Sequence, residues 1–300
     1  MFLKKKLKIA IIGGCQSAGL REATLSLVPR CEVTCWHAGV HPDSPEQIFG
    51  KLRAFDLIIS QISPGHGLEI LEMDSLRREF KSVHFMPTAV FAGFHPDMTY
   101  IMDHEGLLSA VHSDFHSRIA VAAYLLGLSP EKTLKLYNPL VFAELGYFED
   151  FPAARLVFEQ NLQDGGLNTD GLFDSCIRDV GAFMYMANHP HIQVLTRMCR
   201  DLYIRLGLIG KKTALPAVRK DHLAESFTWP VYPALAQRAG VTGSMNFQRP
   251  AWMTPQGEAR EFPMQTYLRD LHGFYTTVPR HRLESGTVTP VRDKLAELIL

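Results

Sequence analysis

The run Ile9-Ala10-Ile11-Ile12-Gly13-Gly14-Cys15-Gln16 constrains this chain more than any other part of it. Its β-branched first half reads as a buried parallel strand. A Gly-Gly turn breaks the strand, and residues 17–27 have the spacing of an amphipathic helix. Cys15 therefore stands where a strand ends and a helix begins. In open α/β sheets, ligands gather at the carboxyl ends of the strands. A helix N-terminus there offers N–H groups and a positive dipole end, which favour a thiolate and can hold an oxyanion. Gly13, Gly14 and Gly19 lack the Gly-x-Gly-x-x-Gly spacing of a dinucleotide fingerprint. The turn thus reads as a nucleophile turn rather than a phosphate loop. On position alone, a buried structural cysteine remains the alternative.

The rest of the first third repeats the same unit. Strands are expected at residues 8–12, 31–36, 55–60 and 82–86, with helices at 17–29, 44–53 and 71–80. Ser44, Pro45 and Gln47 form a capping-box signature at the second of these helices. Such β-α alternation implies a mostly parallel sheet with helices on both faces, an α/β fold of Rossmann-like or SGNH-like type. From about Asp114 the pattern becomes helical, at 116–126, 129–137, 151–160 and 192–207. Ser113 or Asp114 is expected to cap the first of these, and Gly207 to close the last. Beyond residue 211 the chain turns rich in Pro, Arg and aromatics and gives no strand pattern. The expected division is a sheet domain at 1–113 carrying the cysteine turn, a mainly helical region at 114–210, and a C-terminal region at 211–300 whose role stays open among a lid, a cofactor clamp and a dimer surface.

The chain has 300 residues, 46% of them hydrophobic and 21% charged, which suits a protein that buries a substantial core. With 31 basic and 31 acidic residues it has no net charge, so nothing favours nucleic acid as a partner. Five scattered cysteines suggest a reducing cytoplasm rather than a disulfide frame. Lys4-Lys5-Lys6 and the apolar residues after them lack the cleavage site of a signal peptide, and no apolar run approaches the ~20 residues of a membrane helix. The expectation is a soluble cytoplasmic protein. The sequence leaves its oligomeric state open, homo-oligomers included.

A second constellation follows the third strand: Ser60-Gln61-Ile62-Ser63-Pro64-Gly65-His66-Gly67. Its proline and glycines make it a loop at the carboxyl edge of the sheet. Strands 1 and 3 of a doubly wound sheet are often neighbours, which would bring His66 within reach of Cys15. An imidazole beside a thiol can take its proton and later deprotonate an incoming alcohol. Ser63 or Ser60 could orient that imidazole. A solvated loop histidine is the alternative. His112 and His116 stand four apart but do not form His-Glu-x-x-His, and Asp114 has the wrong spacing to replace that glutamate. No metal is expected there. Asn188 before the helix at 192 reads as turn chemistry, with a ligand contact open to His189.

Taken in order, these residues resemble the WcbI-type polysaccharide biosynthesis proteins. Gly14-Cys15-Gln16 is similar to the family's Gly-Asn-Cys-Gln signature, followed by the blocks at 56–61, at 87–96 ending in Gly93-Phe94-His95-Pro96, at His116-Ser117, at 145–148, and at Asn188-His189-Pro190. The resemblance spans about residues 8–210. It implies an O-acetyltransferase that moves acetyl from acetyl-coenzyme A to a capsule sugar hydroxyl, with no metal. Carried over by position, Cys15 and His66 would be the catalytic pair and Ser63 a supporting residue, with Gly14, Gln16 and Gln61 around the oxyanion. Many members carry Asn where this chain has Gly14, so here the backbone N–H would act alone. Coenzyme A needs local positive charge. Arg21, Arg118, Lys211 and Lys212 are candidates by charge, and His116 and Ser117 by their matched block. The expected partners are coenzyme A and a sugar or polysaccharide acceptor. The rival readings are an acyl-ester hydrolase, a non-catalytic sugar- or nucleotide-binding protein of a capsule-assembly complex, and a thiol redox sensor.

Overall fold

The computed structural model describes residues 5–38, 40–63, 65 and 68–299. It divides into two compact units, each assembled from separated stretches of chain. The first comprises Met1–Val90, Val157–Phe183 and Asn188–Ala224, and the second Phe91–Leu156, Met184–Ala187 and Glu225–Leu300. The expected blocks 1–113, 114–210 and 211–300 are therefore each shared between the units.

The first unit is α/β. Strands β1 (Leu7–Gly13), β2 (Cys31–His37), β3 (Leu57–Ser60) and β4 (Val83–Phe85) form one parallel sheet in the order β2-β1-β3-β4. β1 is central, so Ile9 to Ile12 are fully buried, which explains the unbroken apolar run. Side chains alternate along the strand. Ala10 and Ile12 join Trp36, Ile48, Leu52, Ile58 and Leu76 in one core layer, under helices α2 (Pro45–Lys51) and α3 (Met73–Glu79). Ile9 and Ile11 face the opposite side. Because β2 and β3 lie on opposite sides of β1, right-handed crossovers place α1 (Ser17–Leu27) on that opposite face.

Helix α2 begins as its sequence predicts. Ser44 Oγ accepts from Gln47 N at 3.3 Å and Gln47 Oε1 accepts from Ser44 N at 2.8 Å, with Pro45 at the first turn.

The second unit is mainly helical. It contains α4 (Arg118–Leu125), α5 (Pro130–Leu134), α6 (Pro139–Glu144) and the first part of α7 (Tyr147–Asp164). Two further helices, α8 (Leu172–Val180) and α9 (Ile192–Arg205), belong to the first unit. After them come α10 (Pro233–Ala239), α11 (Met264–Tyr275), α12 (Arg280–Leu283) and α13 (Thr289–Ile299), together with an antiparallel hairpin, Asn246–Gln248 with Glu261–Pro263. Helix α9 ends where the sequence places its stop, with Gly207 at φ 68° and its N–H on Ile204 O at 3.0 Å. The helix expected from His116 instead starts at Arg118, because His116 and Ser117 pair with Thr99 and Met98 as a short antiparallel ladder. Its cap is Ser117, whose Oγ accepts from Ala120 N at 3.0 Å, rather than Ser113 or Asp114.

A buried carboxylate organises this unit. Asp97 accepts from Tyr147 Oη at 3.0 Å, Tyr232 Oη at 2.9 Å and Ile119 N at 3.0 Å. Burial raises its pKa, and the hydrogen bonds oppose that shift. No helix among the described residues is long and apolar enough to cross a membrane.

Within the first unit, α1 lies close against α9. A β-carbon at Gly19 would come within 2.5 Å of Leu195 Cδ1 and 3.6 Å of Ile192 Cδ1. Gly19→Val is expected to destabilise the protein by about 1–3 kcal/mol, read from the urea midpoint at unchanged m. Combined with Leu195→Ala, which opens the same space, the loss should fall short of the sum of the two single effects.

Candidate active site

The turn after β1 is tied to its neighbours through its own Gln16. A β-carbon at Gly13 would sit 2.6 Å from Gln61 Oε1, so a side chain there would push the Gln61 amide aside. Gly14 faces open space, so its position tolerates a side chain. Ser17 N donates to Gly14 O at 3.1 Å and closes the turn into α1. The Gln16 side chain is buried and makes three bonds to main chain. Its Nε2 donates to Ala89 O at 2.8 Å and to Asn188 O at 2.9 Å, and its Oε1 accepts from Ala89 N at 3.1 Å. Gln16 thereby joins the β1 turn to the segment after β4 and to the loop before α9, all within the first unit.

Cys15 sits half-buried in the cradle so formed, with Sγ 3.8 Å from Asn188 O. Burial raises the thiol's pKa, while the N–H groups of Cys15 and Gln16, facing the sulfur, oppose that rise. Cys15 is a neutral thiol at rest, beside donors placed to receive negative charge. Gln61, in the strand-3 loop, has Nε2 3.4 Å from both Gln16 Oε1 and Pro87 O. Its buried Oε1 has no partner among the described residues.

His66, like Pro64 and Gly67, lies outside the described residues. The neighbouring Gly65 is at φ 86° and donates its N–H to Glu72 Oε1 at 2.9 Å, which anchors that loop. Ser63 is half-buried, and Ser60 Oγ is occupied by Ile62 N at 3.1 Å. His189 follows the Asn188 carbonyl that contacts the thiol, and burial lowers its pKa to about 4, so its ring is neutral.

The candidates for holding a cofactor fall into both units. In the first, Arg21 pairs with Glu22 at 2.5 Å, and Lys211 and Lys212 are exposed. In the second, His116 is fully buried, with Nε2 at 2.8 Å from Leu108 O and Nδ1 at 3.2 Å from Tyr275 Oη. Ser117 is occupied by Tyr137 Oη at 2.5 Å besides its capping bond. Arg118 binds Pro96 O, pairs with Asp150 at 3.7 Å and lies 5.0 Å over the Tyr147 ring. No group of three or more metal-ligating side chains occurs among the described residues. Sequence reasoning missed the carbonyls of Ala89 and Asn188, because any residue type can supply a main-chain oxygen.

These features define an α/β protein with a cysteine presented at the first strand-to-helix turn. Residues 8–211 match the family described as the polysaccharide biosynthesis enzyme WcbI, and the chain belongs to that family. Its fold is similar to a solved structure of WcbI, described as a novel polysaccharide biosynthesis enzyme, in its native form without a disulfide bond between coenzyme A and a cysteine. That similarity has a TM-score of 0.71 at 14% identity, over 96% of this chain and 99% of the other. No curated protein matches the chain.

Two outcomes follow from this geometry. Gln16→Leu strands buried main-chain donors and acceptors and is expected to destabilise the protein by about 2–4 kcal/mol in urea unfolding. Iodoacetamide labelling of Cys15 is expected to rise about tenfold per pH unit through pH 8 to 9, since only the thiolate reacts and burial holds the thiol protonated. A plateau below pH 8 would show a preformed thiolate instead.

Proposed function

We propose that the chain is a coenzyme A-dependent O-acyltransferase that modifies a sugar hydroxyl in polysaccharide biosynthesis. The observation that carries this reading is a half-buried thiol whose own N–H and that of Gln16 face its sulfur, at the carboxyl edge of a parallel sheet. The solved WcbI structure is described by the absence of a disulfide between coenzyme A and a cysteine, and that naming of the two together supports Cys15 as the residue that meets the coenzyme's thiol end. Such a half-buried sulfur with donors around it fits a thioester, whose carbonyl oxygen needs hydrogen bonds as it becomes an oxyanion. Acetyl-coenzyme A would supply the activated acyl group.

In the proposed sequence His66 takes the Cys15 proton and Ser63 orients the imidazole. The Cys15 sulfur bonds to the acyl carbon as the carbon's bond to the coenzyme A sulfur breaks, and His66 passes the proton it took to that departing thiolate. The N–H groups of Cys15 and Gln16 hold the developing oxyanion, and Gln61 supports Gln16. His66 then accepts the proton of the sugar hydroxyl, whose oxygen takes the acyl group and frees the Cys15 sulfur. Arg21, Lys211 and Lys212, in the unit that carries Cys15, are the proposed cofactor contacts, while His116, Ser117 and Arg118 are engaged within the second unit. A cytoplasmic location matches a metabolic acyl donor.

The raised pKa of Cys15 and its contact with Asn188 O favour one second reading: direct transfer, with His66 deprotonating the sugar and Cys15 remaining a thiol. Intact-protein mass after brief exposure to acetyl-coenzyme A separates the two. An added acetyl group on the wild type, lost in Cys15→Ala and slowed in His66→Ala, is expected. No added mass, with thermal stabilisation by coenzyme A, would leave direct transfer. Neither mass nor stabilisation would overturn the transferase reading.

A further inference from the structure

A groove of about 310 Å³ opens in the first unit between the start of α8 and the middle of α9. It is lined by Asn168, Asp170, Leu172, Arg200, Asp201 and Leu215, and Arg197 lies at its floor. Arg197 is fully occupied, pairing with Asp179 at 2.5 Å and donating to Ser175 Oγ at 3.2 Å and to Gln193. The other polar groups are only partly used. Arg200 gives Nε to Thr213 O at 2.7 Å and Nη2 to Lys211 O at 2.6 Å, which leaves Nη1 without a partner among the described residues. Asp201 Oδ2 accepts from Asn168 N at 3.1 Å and lies 4.0 Å from Arg205 Nε, and its Oδ1 is open among the described residues. Asn168 Oδ1 accepts from Asp170 N at 2.9 Å, which leaves the Asn168 amide donors and the exposed Asp170 carboxylate open.

Two donors and two carboxylate acceptors thus share one space, between a buried leucine and a half-exposed one. A phosphate would meet Asp170 and Asp201 as like charges, and Asp174 already occupies the first turn of α8. A divalent cation would meet Arg200. An apolar peptide would find two leucines and four unsatisfied polar groups. A sugar ring fits each part, since every hydroxyl both donates and accepts and the ring carries an apolar C–H face.

The groove is set back along α9 from the loop that meets the thiol. Asn188 O touches Cys15 Sγ at 3.8 Å, and α9 begins four residues later. At 1.5 Å per residue, Arg200 lies about 12 Å further along the helix axis, beyond the reach of a single sugar ring whose hydroxyl is at Cys15. We propose that this groove is a distal saccharide subsite, holding a sugar residue of an oligosaccharide acceptor several units from the hydroxyl that reacts. The proposal rests on the acyltransferase reading for its role but not for its binding chemistry.

The test uses oligosaccharides of one to six units cut from the host's own surface polysaccharide. In isotope-labelled full-length protein, the amide signals of Asn168, Asp170 and Arg200 are expected to shift with the longer oligosaccharides and not with the monosaccharide. Asp170→Ala, at an exposed side chain without a partner, is expected to raise KM for the hexasaccharide about three- to tenfold, with kcat and the monosaccharide KM unchanged. Leu215→Glu should act in the same direction by blocking the apolar wall. Groove signals moved by saccharide without any acyl transfer would keep the subsite and remove the acyltransferase reading. Groove signals moved by coenzyme A and by no saccharide, or an unchanged KM at every length in both variants, would overturn the subsite itself.

Discussion

The Gln16 amide is the tie on which the site depends. Three stretches distant in sequence meet there: the turn after β1, the segment at Ala89 and the loop at Asn188. A primary amide suits this task because it donates twice and accepts at the same time. Its pairing with both the N–H and the O of Ala89 copies the pattern between two strands, so the segment after β4 is fixed as firmly as a ladder would fix it. Each such bond contributes only about 0.5–1.5 kcal/mol net, whereas a buried main-chain group left unpaired costs about 1–3 kcal/mol. The second figure is the one that matters at Ala89, whose N–H and O both pair with Gln16. The side chain next to the candidate nucleophile is consequently committed to architecture, and the adjacent N–H groups remain for chemistry.

That division explains why a thiol at a helix N-terminus is not acidified. Burial disfavours the thiolate more than the two N–H groups favour it, and the Asn188 carbonyl lies close to the sulfur. Donors that stabilise charge only when it arrives are useful in a transition state, because they need no reorganisation at that moment. A thiol kept neutral at rest also resists adventitious oxidation, which follows thiolate character. The proposed acyltransferase needs a base that acts when substrate is present. That base is proposed to come from the segment after β3, the strand adjacent to β1, where Gln61 N is bonded to Ile12 O at 2.8 Å.

Much of this was legible in the sequence. The four strands, their order of helices and the neighbouring of β1 and β3 follow from apolar runs punctuated by Gly, Pro and Ser, each of which acts locally. Ser44 with Gln47 and Gly207 are read correctly because a cap is satisfied within a few residues. His116 shows the limit. Its surroundings have helical spacing, but its main chain is claimed by Thr99 and its ring by Leu108 and Tyr275, partners that no local window contains. The two units escape a sequential reading for the same reason: α9 returns to lie beside α1 at Gly19, some 170 residues away in the chain. At the site itself, the sequence names Cys15, Gln16 and Gln61 and picks Gly14, whereas it is Gly13 that packs against Gln61. It does not name the carbonyls of Ala89 and Asn188.

The C-terminal third bears on what the family shares. The family match ends at residue 211, yet the second unit's core is completed from beyond it. Asp97 receives one of its two phenol donors from Tyr232, and His95, in the Gly93-to-Pro96 block, rests Nε2 at 3.1 Å from Trp229 O. His116 of another matched block leans on Tyr275. A buried carboxylate that loses one donor keeps its desolvation penalty without the compensating bond. The matched blocks at 93–96 and 116–117 thus require the unmatched region in order to sit in a satisfied core. The 96% coverage of the structural comparison, against a sequence match that stops at 211, is what such a dependence predicts.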